Sequence, residues 1–242
     1  MHVYCFTDDV RRARTPLILK IDMHVHTWYS DSSGSVSEVL EEAQRKGLDG
    51  LAITDHKTIR GAMEALRRQD KLIIIPGQEV KTKQCEILAL GIRKRIEDNL
   101  PILVALKKIH AQRGLAIVPH PTIPFFGGLK EKDLRGLPID GIEVFSAITP
   151  LPGYFLKKNL RLARKLGLPI VAGSDSHFAE TVGDAYTMIR CENRDIHEIL
   201  RAVKLGQTSI GGGPSKLSFK LKAMRGTIPH IIYKLLKGQK EE

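Results

Sequence analysis

From residue 20 to about residue 210, apolar runs of strand length alternate with amphipathic stretches of helix length. This alternation constrains the fold more than any other feature, because strand–helix–strand units close into parallel pairs through right-handed crossovers. "SVSEVLEEAQRKG" (35–47) sets Val36, Val39, Leu40 and Ala43 on one face and stops at a glycine, as a helix should. "DGLAITDH" reads as a strand, "KLIIIPGQEV" as a buried strand and "CEILALGI" as its hairpin partner. "NLPILVALKKIHAQRG" is a helix leading into the strand "LAIVPH", and "DGIEVFS", "GYFLKKNLRLARKLG" and "PIVAGSDSH" continue as strand, helix and strand. "DAYTMIRC", "DIHEILRAVKLG" and "TSIGG" close the series. About seven such steps, with no glycine fingerprint after the first strand, predict an α/β fold: a single TIM-like β/α barrel rather than an open dinucleotide-binding sheet. Residues 1–19 read as an N-terminal appendage, 20–213 as the barrel and 214–242 as a basic amphipathic tail broken at Pro229.

A chain of 242 residues with 42% hydrophobic content supports one large core. No apolar run approaches the roughly 18 residues of a spanning helix, so no membrane insertion is expected. The stretch "MHVYCFTDDVRRARTP" is charged and lacks an apolar centre, unlike a secretory signal. Cys5, Cys85 and Cys191 lie far apart and are odd in number, which argues for a reducing, cytoplasmic setting and against a disulfide framework. The net charge of +11 favours a polyanionic partner, whether nucleic acid, phosphate ester or acidic membrane surface, although lysine-rich surfaces also serve solubility and thermostability. Aromatic content of 5% argues against an extended base-stacking surface.

The reactive side chains fall where strands end. "KIDMHVHTWYSD" (20–31) carries His24 and His26 on one face of a strand, followed by Asp31. Alone, this His-x-His is either a metal-binding pair or one core histidine beside a solvated one. Asp55 and His56 of "ITDH", Glu79 of "PGQE", His120 of "VPHP", and Asp175 and His177 of "GSDSH" also end predicted strands. In a β/α barrel these ends share one face, where active sites are built. Single residues have plain explanations, such as a turn at His120 or a helix cap at Asp175. Together they point to a metal centre. Imidazole with carboxylate and no thiolate suits zinc, manganese or iron, and a carboxylate such as Glu79 can bridge two ions.

In order and type, "DMHVHTWYSD", "ITDHKTIRGA", "IPGQEV", "VPHP" and "GSDSH" resemble the polymerase and histidinol phosphatase (PHP) family of metal-dependent phosphoesterases, over about residues 20–190. The resemblance implies a distorted seven-stranded β/α barrel, two or three divalent ions and hydrolysis of a phosphate ester by a metal-bridging hydroxide. Carried over by position, His24, His26, Glu79 and Asp175 are the implied ligands of a first ion. Glu79 and His120 would hold a second, and Asp31, His56 and His177 a third. Glu79, Asp175 and His177 stand nearest the chemistry in this scheme.

Two positions depart from the family pattern. Glu86 of "KQCEILALG" stands where a histidine usually precedes "ILALG"; it either ligates the second ion or faces solvent, and ligation is favoured. Cys85 beside it should point into the core. Lys57 replaces a frequent carboxylate and, with Arg60, Lys81 and Lys83, is a candidate contact for substrate phosphate. His2, His110, His197 and His230 fit no ligand position, and "GGGPS" (211–215) reads as a turn rather than a phosphate cradle. The expected substrate is a nucleotide or an oligonucleotide end, with no obligate protein partner. The competing reading is a non-catalytic RNA-binding or scaffold protein on the same barrel, of the kind that serves as a ribonuclease P subunit; it predicts eroded ligands.

Overall fold

A computed structural model describes residues 16–68, 71–123 and 131–223. Residues 1–15 of the 1–19 appendage and 224–242 of the 214–242 tail, with His2, Cys5 and His230, lie outside the described residues.

The strands are β1 (Leu17–Val25), β2 (Gly50–Ile53), β3 (Ile73–Lys81), β4 (Glu86–Leu90), β5 (Leu115–Val118), β6 (Gly141–Ser146), β7 (Ile170–Gly173), β8 (Ala185–Cys191) and β9 (Thr208–Gly212). The helices are α1 (Val36–Arg45), α2 (Arg60–Arg67), α3 (Ile102–Ala111), α4 (Glu131–Leu134), α5 (Pro152–Leu166) and α6 (Ile196–Lys204). Helix α1 forms for the reason the sequence suggests: its apolar stripe is buried, and Ser35 and Glu38 make a reciprocal capping box.

The sheet order is β7-β6-β5-β4-β3-β2-β1-β8-β9. β1 to β7 form the expected seven-stranded arc, but among the described residues the sheet has nine strands and is mixed. The β3–β4 hairpin is antiparallel as read, and β4 also runs antiparallel to β5. β8 and β9 were expected as continuing barrel steps; instead they add antiparallel to the far side of β1. β1 also begins at Leu17, so residues 17–19 belong to the barrel rather than to an appendage. The arc closes by hydrogen bonds from Asp175 N to His24 O (2.8 Å) and from His26 N to Ser176 O (3.1 Å).

Strand alternation sorts the side chains into layers. Ile21, Met23, Ala52, Ile75, Leu88 and Ile117 fill the barrel interior, which α6 caps through Ile199, Leu200 and Val203. α1 and α2 cover β2 on the outside, and α3 and α5 cover β4 to β6. β1 departs from strict alternation. Its register with β2 slips between Asp22 and Val25. Ile21 and Met23 therefore face inward, yet Val25 packs outward under α1 and α2, and His24 turns into the barrel. Asp22 holds the slip by accepting from the N–H groups of His24 (3.3 Å), Ser174 (2.8 Å) and Gly183 (2.8 Å). Burial pushes its carboxyl up to about 6, against these hydrogen bonds.

The closure demands a glycine at 173. A Cβ there would stand 2.6 Å from His24 Cβ and 2.7 Å from His24 N, and neither strand can yield. Gly173→Ala should lower unfolding free energy by roughly 1–3 kcal/mol in urea titrations. Gly153→Ala, where a Cβ meets nothing within 4 Å, should leave stability unchanged or raise it by up to about 1 kcal/mol.

Candidate metal centre

The strand ends that the sequence singled out converge at one mouth of the barrel. His24 and His26 face each other through their Nε2 atoms at 3.0 Å, and Glu79 Oε2 stands 3.1 and 3.2 Å from them. Asp175 Oδ1 lies 3.5 Å from both Nε2 atoms. His120 Nε2 is 3.6 Å from Glu79 Oε1. Nearer solvent, Asp31 Oδ2 is 3.2 Å from His177 Nε2 and 3.6 Å from His56 Nε2, and Asp31 Oδ1 is 3.6 Å from His26 Nδ1. Three overlapping groups of donors result: His24, Glu79 and His120; His24, His26 and Asp175; and His26, Asp31, His56 and His177. His26 thus sits between the inner and outer groups, where the family pattern assigned it to the first ion alone.

Three observations show that these residues fit divalent cations. Glu143 Oε1 lies 3.1 Å from His24 Nδ1, so that nitrogen donates its proton to Glu143 and leaves the Nε2 lone pair toward His26 and Glu79. His177 Nδ1 likewise donates to Asp175 O at 3.0 Å, which aims the Nε2 lone pair at the Asp31 carboxylate. Lone pairs opposed at such distances need a proton or a cation between them. Glu79 Oε1 is buried and makes no hydrogen bond among the described residues.

The electrostatics agree. Burial opposes charge on His26, but hydrogen bonds to Asp175 and Glu79 outweigh it and lift the imidazole to about 10. At His120, burial is likewise overcome by Glu79 and Asp175, and the imidazole rises to about 9. Burial works against charge on Glu79 and Asp175 too, yet the surrounding imidazoles hold both well below the usual carboxylate range. The site is thus a nest of anionic oxygens whose positive charge is supplied by whatever cation is present.

Glu86 shares the inward face of β4 with Leu88 and Leu90, one step toward the mouth from the Glu79–Leu88 pair. β4 is an interior strand, so Glu86 is half-buried rather than solvated on an edge. It belongs to none of the three close groups, although burial and the charges of Glu79 and Asp175 raise its carboxyl to about 7. Cys85 points into the α3–α5 side of the core, and burial pushes its thiol up to about 11. Lys57, Arg60, Lys81 and Lys83 are exposed; Lys57 directly follows His56 with a left-handed backbone (φ 60°), and Arg60 stacks on Tyr29. Asp55 braces the loop after β1, accepting from Thr27 N and Oγ1 at 2.7 Å each and from Ser30 Oγ at 2.8 Å.

Glu143 was not read from the sequence. Its signal was present in "DGIEVFS": Ile142 and Val144 pack outward, so the carboxylate between them must enter the barrel. It is fully buried, and its second oxygen accepts from His120 N at 3.0 Å. His110 pairs with Asp140 at 2.7 Å, and His197 is exposed on α6. Both border a separate cavity of about 690 Å³ at the opposite end of β5, where Asp140 also binds Lys204 at 3.0 Å.

Glu143 orients the His24 imidazole and holds the His120 main chain without being placed among the donors. Glu143→Gln should weaken zinc binding about 10- to 100-fold in chelator-competition titrations while the protein stays folded by circular dichroism. Unchanged affinity would remove Glu143 from this role.

Comparison with known proteins agrees with this architecture. A family model described as PHP domain matches residues 22–119, and one described as PHP-associated matches residues 153–208. An uncharacterized protein of Methanocaldococcus jannaschii is 36% identical over 142 residues, spanning 53% of this chain and 82% of that protein. A probable phosphatase of Caldicellulosiruptor bescii is 27% identical over 210 residues, spanning 73% of this chain and 85% of the relative. Among solved structures, a two-domain protein of Bacteroides vulgatus containing a predicted PHP-like metal-dependent phosphoesterase superposes with a TM-score of 0.70 at 17% identity. That match covers 82% of this chain and 66% of the other. The fold of the barrel has its counterpart there, and, with the PHP domain match over residues 22–119, the chain belongs to the PHP domain family.

Proposed function

We propose that the chain hydrolyses a phosphate ester, with a nucleotide or an oligonucleotide end as substrate. The observation that carries this reading is the convergence of His24, His26 and Glu79 within 3.0–3.2 Å of one another at a buried point, with Asp175 Oδ1 3.5 Å from both imidazoles. A probable phosphatase among the relatives supports the reaction class. Two or three divalent ions, held by His24, His26, Glu79, Asp175 and His120 and by Asp31, His56 and His177, with Glu86 as a further donor, would supply Lewis acidity toward water and phosphate oxygens. The rest is the work of the chain itself.

Glu143 keeps the His24 proton on Nδ1, so that Nε2 stays a donor. Glu79 and Asp175 concentrate negative charge in the dry floor, which favours cations over protons once the site is loaded. His177 stands at the rim, its Nδ1 proton tied to Asp175 O and its Nε2 turned to the mouth beside Asp31. Lys57, Arg60, Lys81 and Lys83 offer positive charge to an arriving phosphate. The net charge of +11 supports a polyanionic substrate, and the buried Cys85 and Cys191, neither of them in a disulfide, suit the reducing cytoplasm.

The test is a panel of mononucleotides, short oligonucleotides and a chromogenic phosphate ester, run with manganese, zinc and iron. Asp175→Ala and His26→Ala should each lower turnover on the best substrate at least about a hundredfold, the loss expected when several kcal/mol of charge stabilisation disappear. Full activity in both variants would contradict the assigned site. Oligonucleotide turnover should also fall steeply between about 50 and 200 mM salt, while the chromogenic ester is affected much less.

A further inference from the structure

The loop between His26 and Asp31 carries Trp28, the chain's single tryptophan, and the residue is 59% exposed. Such a ring is ordinarily the largest apolar contribution a chain can bury. Here it is held out on a loop with little freedom. Trp28 N donates to Gly34 O at 2.8 Å, and Ser30 N to Thr27 O at 3.0 Å. Thr27 is anchored on the buried Asp55 through two hydrogen bonds of 2.7 Å.

The neighbouring ring is braced as well. Tyr29 OH donates to Glu64 Oε2 at 2.8 Å, and the Arg60 guanidinium lies 4.7 Å from the Tyr29 centroid. Trp28 meets Tyr29 edge-on, with centroids 6.1 Å apart at 87°. This T-shaped contact uses the tyrosine to fix the indole and leaves most of the indole surface uncovered. The ordering cost of a binding surface is thus met before any ligand arrives.

Position indicates the ligand. Trp28 is two residues from His26, so its Cα lies within about 7 Å of that residue's Cα. A phosphate ester engaged by the group of His26, Asp31, His56 and His177 would have this loop beside it, since the loop joins His26 to Asp31. A flat aromatic body would stack there, and the exposed Arg60, held over the neighbouring Tyr29, suits the phosphate of a nucleotide. We propose that Trp28 is the stacking surface for the base of a nucleotide substrate and gives the site its preference for nucleotides over sugar phosphates. This inference rests on the phosphoesterase reading above.

The single tryptophan makes the test direct. In the zinc-loaded full-length protein, emission excited at the tryptophan edge is followed during titration with adenosine, which carries the base and no cleavable phosphate, and with ribose. Kinetics on AMP and ribose 5-phosphate are compared for the wild type, Trp28→Phe and Trp28→Leu. Adenosine should quench the emission saturably and ribose should not. The wild-type preference for AMP should be expressed in KM and should shrink roughly tenfold in Trp28→Leu, with Trp28→Phe keeping most of it. Emission indifferent to adenosine, or a preference for AMP that survives Trp28→Leu, overturns the proposal. Failure of the phosphoesterase reading looks different: the wild type would turn over neither ester with any metal. Saturable quenching by adenosine would then still support the stack, and its absence would overturn it.

Discussion

Two main-chain hydrogen bonds, Asp175 N to His24 O and His26 N to Ser176 O, join the end of β7 to the end of β1. They close the arc of strands, and the same contact sets the spacing of the centre, because the donors belong to the residues that are joined. His24 and Asp175 can meet only if their strands approach within hydrogen-bonding distance. That approach needs a residue without a Cβ at Gly173 and a register slip in β1 held by Asp22. Asp175 and His120 also adopt left-handed backbones, with φ of 55° and 27°. Such conformations cost on the order of 1–3 kcal/mol each for non-glycine residues and persist where surrounding bonds enforce them.

The barrel must also tolerate a poor interior at this mouth. Below it, Ile21, Met23, Ile75, Leu88 and Ile117 form an apolar core capped by α6. Above it, Glu79, Asp175 and Glu143 are removed from water together with His24, His26 and His120. Each buried ion costs several kcal/mol unless it is paired. The imidazoles compensate the carboxylates in part, but Glu79 Oε1 remains without a hydrogen bond among the described residues. A fold selected for stability alone would fill this layer with leucine and valine. Keeping charge there makes sense when cations complete it, and local sacrifice of stability is usual at functional sites.

Much of this was legible in the chain. The apolar stripe and capping box of α1, the hairpin of β3 and β4, and the ordered motifs at strand ends all follow from local periodicity and residue chemistry. β8 and β9 were placed wrongly because a strand's own sequence does not encode the direction of its neighbour. The β1 slip was equally hidden, since its anchor depends on Ser174 and Gly183, about 150 and 160 residues away in the chain. His24 and His26 do share a face as alternation predicts, but they share it with Met23's side of the barrel only because of that slip. Glu143 could have been found by asking which face of "DGIEVFS" is apolar. Trp28 carried no signal beyond its identity, because exposure is a property of the folded loop.

The central claim is that the strand ends form a centre for divalent cations. Elemental analysis of the purified full-length protein, loaded with manganese or zinc and then desalted, tests it most directly. The account predicts two or three equivalents per chain in the wild type, and a loss of at least one equivalent in both His26→Ala and Asp175→Ala. A folded wild-type protein that retains no metal under these conditions would contradict it.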